Sequence, residues 1–306
     1  MGNYFDAAAR GRFKLSHFND IGLDAHVIDE CMDSVLSELP SSEENDNDRE
    51  ISFLKGGLMN VDLSSFRPRK ELNPKIWVNG LMNSRVRMRL LDIADDFIET
   101  LKVEWAHPVD IILTGSLANY NWSRYSDFDL HIIYDFKDVD EKTEFVKEYF
   151  DAKKNEWNEK HDNLKIYGYP VELYVQDSNE AHAASGIYSL EQNEWVLEPE
   201  RDNIKAIKLD KYYIKEKVAK FATIIDDLQR KIAEEKDLHM QLEYSDKVKR
   251  VFDKLKGMRK SALGKSGGNE MTAGNIIYKC LRRLGYIATL LDLKAKTYDR
   301  IRSIEK

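Results

Sequence analysis

The stretch from Asp110 to Asp135 constrains the fold of this chain more than any other. Ile111, Ile112 and Leu113, with Val109 just ahead, form an apolar run long enough for a buried strand. Thr114, Gly115 and Ser116 stop it, and Leu117 to Asn121 suffice for one helical turn. Ser126 to Ile133 then reads as a second strand. Side chains alternate across a strand, so Asp127 and Asp129 share one face while Phe128 and Leu130 point to a core on the other. Two carboxylates side by side repel each other unless a cation lies between them. Mg²⁺ suits the place because it takes hard oxygen ligands and keeps room for phosphates, with Mn²⁺ as the alternative occupant. Gly115 lets backbone approach a phosphate closely, and Ser116 offers a hydroxyl and a backbone N–H as donors.

Holding two metals calls for a third carboxylate. Pro170 to Gln176 reads as a third short strand with Glu172 in its middle. With Val171, Leu173 and Val175 turned to the core, Glu172 and Tyr174 turn to the side that the aspartate pair needs. Two ions about 3.5–4 Å apart would stabilise both the attacking and the leaving oxygen of an in-line displacement.

Gly115-Ser116, a spacer, the Asp127/Asp129 pair and a distant acidic residue on its own strand resemble the nucleotidyltransferase superfamily. That group contains DNA polymerase beta, poly(A) polymerases, CCA-adding enzymes and aminoglycoside nucleotidyltransferases. The resemblance implies an α+β fold with a small mixed sheet flanked by helices. It implies that Gly115 and Ser116 hold nucleotide phosphates, that Asp127 and Asp129 bind two Mg²⁺ ions, and that Glu172 binds the catalytic metal near the acceptor oxygen. The reaction it implies is transfer of a nucleoside monophosphate from an NTP to an acceptor hydroxyl, with pyrophosphate leaving. Arg124, in the spacer, is a candidate phosphate or acceptor contact. More of the chain, Ser185 to Leu190 through Trp195 and Leu281 to Tyr286, resembles uncharacterised nucleotidyltransferases predicted in tailed-phage genomes. An Asp-x-Asp pair also occurs in metal-dependent glycosyltransferases, but those want a nucleotide-binding α/β half upstream, and residues 1–108 offer none.

Around this core the chain divides into three parts: an extension over 1–82, a catalytic domain over 83–204 and a helical bundle over 205–306. In the first, Ala25 to Leu39 has the periodicity of a short helix ended by Pro40, and Ser41 to Glu50 is a polar acidic loop lacking the glycine and terminal glutamate of a calcium loop. Phe66 to Trp77, with Pro68 and Pro74, reads as extended. Asn83 to Val103 is a helix burying Val86, Leu90, Ile93, Ala94, Phe97 and Leu101. Glu141 to His161 is a charged helix with Phe145, Tyr149, Ala152 and Trp157 on its buried side. His182 and Ser185-Gly186 follow in a loop placed to line a nucleotide pocket. Ile214, Val218, Phe221, Ile225, Leu228 and Ile232 make a heptad seam in Lys211 to Leu238, and Ser245 to Leu263 repeats the pattern. Thr272 caps a third helix running through Leu293, with Ile276, Ile277, Cys280, Leu281, Leu284, Ile287 and Leu291 buried.

Charge is uneven along the chain. The net charge of −7 argues against a protein basic all over, yet Ser245 to Lys306 holds 16 Lys and Arg against 6 Asp and Glu. Lys260, Lys265, Arg282 and Arg283, gathered by the glycine-rich loop, are the best candidates to grip a triphosphate or a nucleic-acid backbone. A tRNA or other RNA 3′ end would use that surface; a protein or small-molecule hydroxyl would need a pocket instead. Gly264-Lys265-Ser266 is not a Walker A turn, because Arg259 stands where the first glycine belongs. The competing reading is a non-catalytic nucleotide- or RNA-binding module on the same fold. Three carboxylates facing a polyanion argue against it. Cys31 and Cys280 lie far apart, which fits a reducing compartment and no zinc module. Met1 to Arg12 lacks an apolar stretch and no run reaches the length of a membrane span, so the expected location is cytoplasmic, the host cytoplasm for a phage protein. The sequence does not specify an oligomeric state.

Overall fold

The computed structural model describes Ile28 and residues 61–180, 184–201, 210–263 and 271–303. Apart from the helical, buried Ile28, the Ala25–Leu39 helix, the acidic loop, His182 and the 264–269 segment with Lys265 lie outside the described residues. The chain divides into two compact units, one from Ser65 to Lys205 with residues 1–16, the other from Ala206 to Lys306 with residues 17–64.

The first unit opens with a two-strand hairpin, β1 (Trp77–Val78) and β2 (Leu81–Met82), and helix α1 (Ser84–Leu101). Asn83 caps α1 by accepting from the Arg85 N–H at 3.0 Å, and the helix buries the six residues its periodicity selects. Strand β3 (Asp110–Thr114), a 3₁₀ turn over Ser116–Ala118, β4 (Phe128–Tyr134), the short α2 (Phe136–Val139), α3 (Thr143–Lys160), β5 (Lys165–Ile166), β6 (Tyr169–Asp177), β7 (Ile187–Ser189) and β8 (Glu194–Leu197) follow. The six-stranded sheet has the order β5-β6-β4-β3-β7-β8. Among the described strands only β4 and β6 pair in parallel, with α3 in the connection between them. The fold is therefore α+β with a mixed sheet, followed by helices.

Alternation along the strands decides which face is dry. Phe128, Leu130, Ile132 and Tyr134 of β4, Ile111 and Leu113 of β3, and Val171 and Leu173 of β6 join α1 and α3 in the main core. Burying each such side chain contributes about 1.5–3 kcal/mol. The opposite face carries a smaller cluster, Ile112, Ile133 and Ile187, and leaves Asp129 and Glu172 half-exposed. Helix α3 meets the core with Val146 and Phe150, while Phe145 is 67% exposed and Ala152 is exposed. Of the expected side, Tyr149 and Trp157 do pack against the core; Phe145 does not, because the sheet selects its apolar neighbour Val146 instead. The Asn158 side chain of α3 caps the free edge of β6, donating to the Leu173 carbonyl at 3.3 Å and accepting from its N–H at 3.2 Å.

Asp110, 1% exposed, starts β3 on the more polar face. Its Oδ1 accepts from Ser189 Oγ at 2.9 Å and from the Ile111 N–H at 2.7 Å, while Oδ2 is buried with no partner. Burial pushes its pKa from 3.8 up to about 6. A raised acid binds its proton more tightly folded than unfolded, so its contribution is complete below about pH 4 and is lost as pH rises through about 6. Asp110→Asn keeps both accepted hydrogen bonds and removes the charge. Urea unfolding should show the variant gaining about 2 kcal/mol over wild type between pH 4 and pH 7.5; parallel pH profiles would refute this.

The second unit consists, among its described residues, chiefly of α4 (Lys211–Glu234), α5 (Leu238–Leu263), α6 (Ala273–Arg283) and α7 (Tyr286–Arg302). Asp210 caps α4, accepting from the Tyr212 and Tyr213 N–H groups, and the heptad seam of α4 is buried throughout. Buried Gln241 ties α5 to the end of α4 by donating to the Ile232 and Glu235 carbonyls. Where the periodicity predicts one helix from Thr272 through Leu293, the structure has two. Gly285, at φ 88°, breaks it. The break resets the helical phase, so Leu284 and Leu291 are 46% and 48% exposed and Leu290 and Leu293 are buried instead.

Candidate active site

Strand register assembles the acidic group. In the parallel β4–β6 pair Asp129 stands opposite Glu172, and in the antiparallel β3–β4 pair Thr114 stands opposite Asp129. Asp127 precedes β4 by one residue. One oxygen from each of Asp127, Asp129 and Glu172 lies within 4.8 Å of the others, a spacing and a hard-oxygen donor set that fit divalent cations. The turn after β3 is shaped to the same place. Gly115 has φ 72° and ψ −159°, and a Cβ there would sit 1.8 Å from Asp129 Oδ2. The backbone therefore lies directly against the carboxylate, which only glycine permits.

Hydrogen bonds hold this turn from several sides. Ser116 Oγ donates to Ser126 Oγ at 2.7 Å, and Ser126 Oγ also accepts from the Ser123 N–H at 3.0 Å, so the residue before Asp127 is tied to the residue after Gly115. Trp77 Nε1 donates to the Leu117 carbonyl at 2.8 Å, and the Trp77 ring stacks on Trp195 at 4.4 Å. Asn119 Nδ2 donates to Ser185 Oγ at 2.5 Å, and a Cβ on Gly186 would meet the Ala118 carbonyl at 2.2 Å. Ser185 and Gly186 thus back the 3₁₀ turn. In the spacer, Arg69 donates from Nε to the Trp122 carbonyl and lies 4.8 Å from that ring, while Trp122 Nε1 donates to the Glu71 carbonyl. Trp122 packs against the main core, whereas Tyr125 is 39% exposed beside Arg124, which donates to its hydroxyl at 2.5 Å.

Beyond Glu172 the same face continues with Tyr174 and Gln176 on β6 and His131 on β4. Tyr174 Oη donates to Glu172 Oε2 at 2.7 Å. Burial, then the charges of Asp129 and Glu172, raise the Tyr174 pKa far above its ordinary value, so the phenol remains a neutral donor. Its ring stacks on His131 with centroids 4.8 Å apart at 21°, and His131 Nδ1 is 3.0 Å from Gln176 Oε1. The sequence places Tyr174 on this face by alternation; its bond to Glu172 follows from the rotamer, and its stack on His131 from the β4–β6 register.

The structure brings Asp127, Asp129, Glu172, Gly115 and Ser116 together. Arg124 sits in the exposed turn before Ser126. Lys260, near the end of α5, and Arg282 and Arg283, in the last turn of α6, belong to the helical unit; Lys260 and Arg282 are exposed and Arg283 is half-buried. Lys265 lies outside the described residues. Among the described residues no helix is long and apolar enough to cross a membrane.

Comparison with known proteins gives one result. The family model described as "Nucleotidyltransferase domain" matches residues 94–256. No curated protein and no solved structure matches the chain. The family match covers more than half of the length and includes all three converging carboxylates, so the chain belongs to the nucleotidyltransferase domain family and is an enzyme that transfers nucleotidyl groups.

Proposed function

We propose that this enzyme transfers a nucleoside monophosphate from an NTP to an acceptor hydroxyl, with an RNA 3′ end as the favoured acceptor. The observation that carries the reading is the convergence of Asp127, Asp129 and Glu172 beside a turn that tolerates only glycine. These three side chains would hold two Mg²⁺ ions, with Mn²⁺ as a substitute. Bound there, the ions supply neutralisation of triphosphate charge and a lowered pKa for the attacking hydroxyl. Gly115 and the Ser116 N–H and hydroxyl receive the β- and γ-phosphates, and Arg124 is a further phosphate or acceptor contact. Glu172 faces the acceptor oxygen. That oxygen bonds to the α-phosphorus, the bond to the β-phosphate oxygen breaks, and pyrophosphate leaves with the electron pair while the hydroxyl proton passes to solvent.

The helical unit supports an RNA acceptor. Exposed Lys249, Lys256 and Lys260 recur at intervals of seven and four, which sets them on one side of α5 over about 16 Å. Lys256 and Lys294 bring their ammonium groups to 5.5 and 5.9 Å from the Phe252 ring. Arg282 and Arg283 on α6, and Lys265 by its place in the sequence, are the further candidates for this contact. Replacing Lys249, Lys256 and Lys294 with Ala should weaken RNA binding and flatten its log–log salt slope by about 2. An unchanged slope would remove this surface from RNA contact. We propose the division into an extension over 1–82, a catalytic domain over 83–204 and a basic bundle over 205–306. We propose a phage origin, and with it the host cytoplasm as its place of action, on the sequence resemblance of Ser185 to Leu190 through Trp195 and of Leu281 to Tyr286.

The test is incubation with Mg²⁺ and each α-labelled NTP in the presence of total RNA, lysate protein or no acceptor. Label entering RNA of one size is the expected result. Label on protein or in a small product would overturn the RNA acceptor, and NTP bound but intact throughout would favour the non-catalytic binding module.

A further inference from the structure

We infer that Tyr174 is a positioning residue that fixes the carboxylate of Glu172 for metal binding, an inference that rests on the carboxylate site proposed above. A glutamate on a strand has three side-chain torsions and enters a fixed geometry only if something holds it. Here Tyr174, two residues along the same strand and on the same face, donates its hydroxyl to Glu172 Oε2 at 2.7 Å. That bond fixes the orientation of a carboxylate that has an oxygen within 4.8 Å of one oxygen from each of Asp127 and Asp129.

The tyrosine is itself held. Its ring stacks on His131 at 4.8 Å, the Lys154 ammonium lies 5.4 Å from its centroid, and Lys154 is fixed by Asp151 at 3.1 Å. His131 is anchored in turn by Gln176 at 3.0 Å. The backbone between Glu172 and Tyr174 is clamped by two hydrogen bonds, one donated by Asn158 Nδ2 to the Leu173 carbonyl and one donated by the Leu173 N–H to Asn158 Oδ1. A donor this constrained, aimed at a metal-ligating carboxylate, has the form of the outer partners that orient ligands elsewhere, whose loss costs about 10–100-fold in metal affinity or activity. Without the hydroxyl, Glu172 turns away from the two aspartates, which its like charge already disfavours approaching.

The experiment is Mn²⁺ titration of the full chain followed by electron paramagnetic resonance, on wild type, Tyr174→Phe, Glu172→Gln and the double variant. Phe keeps the ring, the stack and the packing. Tyr174→Phe should weaken Mn²⁺ binding about 10-fold, and adding it to Glu172→Gln should cost nothing further, since the tyrosine acts through the glutamate. In transfer assays, kcat should fall about 10-fold with KM for NTP within about twofold. Wild-type Mn²⁺ affinity in Tyr174→Phe, or losses that add in the double variant, would overturn the inference. A chain that binds Mn²⁺ in this Tyr174-dependent way yet turns over no NTP would overturn the proposed reaction and support the role of Tyr174.

Discussion

Replacing Asp129 with Asn is expected to lower nucleotidyl transfer by at least about 10³-fold while leaving thermal unfolding within a few degrees of wild type. The size follows from what the residue would hold. Metal ions at a phosphoryl centre contribute several kcal/mol of transition-state stabilisation, and each 1.36 kcal/mol is about tenfold in rate. Asp129 is central among the candidate ligands, opposite Glu172 in one strand pair and opposite Thr114 in the other. It also lies on the half-exposed face, outside the main core, so an isosteric amide disturbs little packing. Transfer rates under single-turnover conditions, with a melting curve beside them, provide the check. Near wild-type turnover in Asp129→Asn, or in the Asp127→Asn/Asp129→Asn pair, would remove these residues from the chemistry.

Gly115→Ala should be nearly as damaging to activity and far more damaging to the fold. Two costs combine. The added methyl would sit 1.8 Å from Asp129 Oδ2 and 2.7 Å from its Cγ, so either the turn or the carboxylate must move. The backbone angles, φ 72° with ψ −159°, are themselves nearly closed to any residue with a Cβ. Together these predict a loss of about 2–4 kcal/mol in stability. Transfer should fall by at least about 10²-fold even at temperatures where the variant remains folded, since a displacement of about 1 Å at the reacting centre already costs that much. Urea unfolding and transfer measured on the same preparation separate the two effects. A variant that unfolds early but keeps full specific activity when folded would show that the contact with Asp129 serves packing alone.

Local signals were enough for the catalytic core and weaker elsewhere. The turn, the aspartate pair and Glu172 were readable because period-two alternation assigns each side chain to a face without knowledge of the partner strand. Helix α1 was readable because six apolar residues recur at one phase with no competitor. Helix α3 was readable at Tyr149 and Trp157 but not at its start, where Phe145 and Val146 are adjacent and only the sheet they meet selects Val146. The split between α6 and α7 was hidden behind a continuous apolar pattern in which Gly285, like Gly274 before it, looked tolerable. The support of the turn by Trp77, Trp195 and Ser185 arises from segments far apart in sequence, and the Tyr174 bond to Glu172 depends on a rotamer, so neither has a local signature.

The parallel pairing of β4 with β6 has a consequence for how the chain comes to be active. Sliding β6 by one residue along β4 would carry Glu172 into the main core and lift Val171 and Leu173 onto the polar face. An alignment shifted by one residue no longer offers three carboxylates to an ion, so a divalent cation held by them during folding would reward a single alignment. At 100 times its dissociation constant, a ligand that binds only the native state contributes about 2.7 kcal/mol. The same ion that serves the chemistry would in this way act as a proofreader of the topology, penalising misaligned chains before any nucleotide arrives.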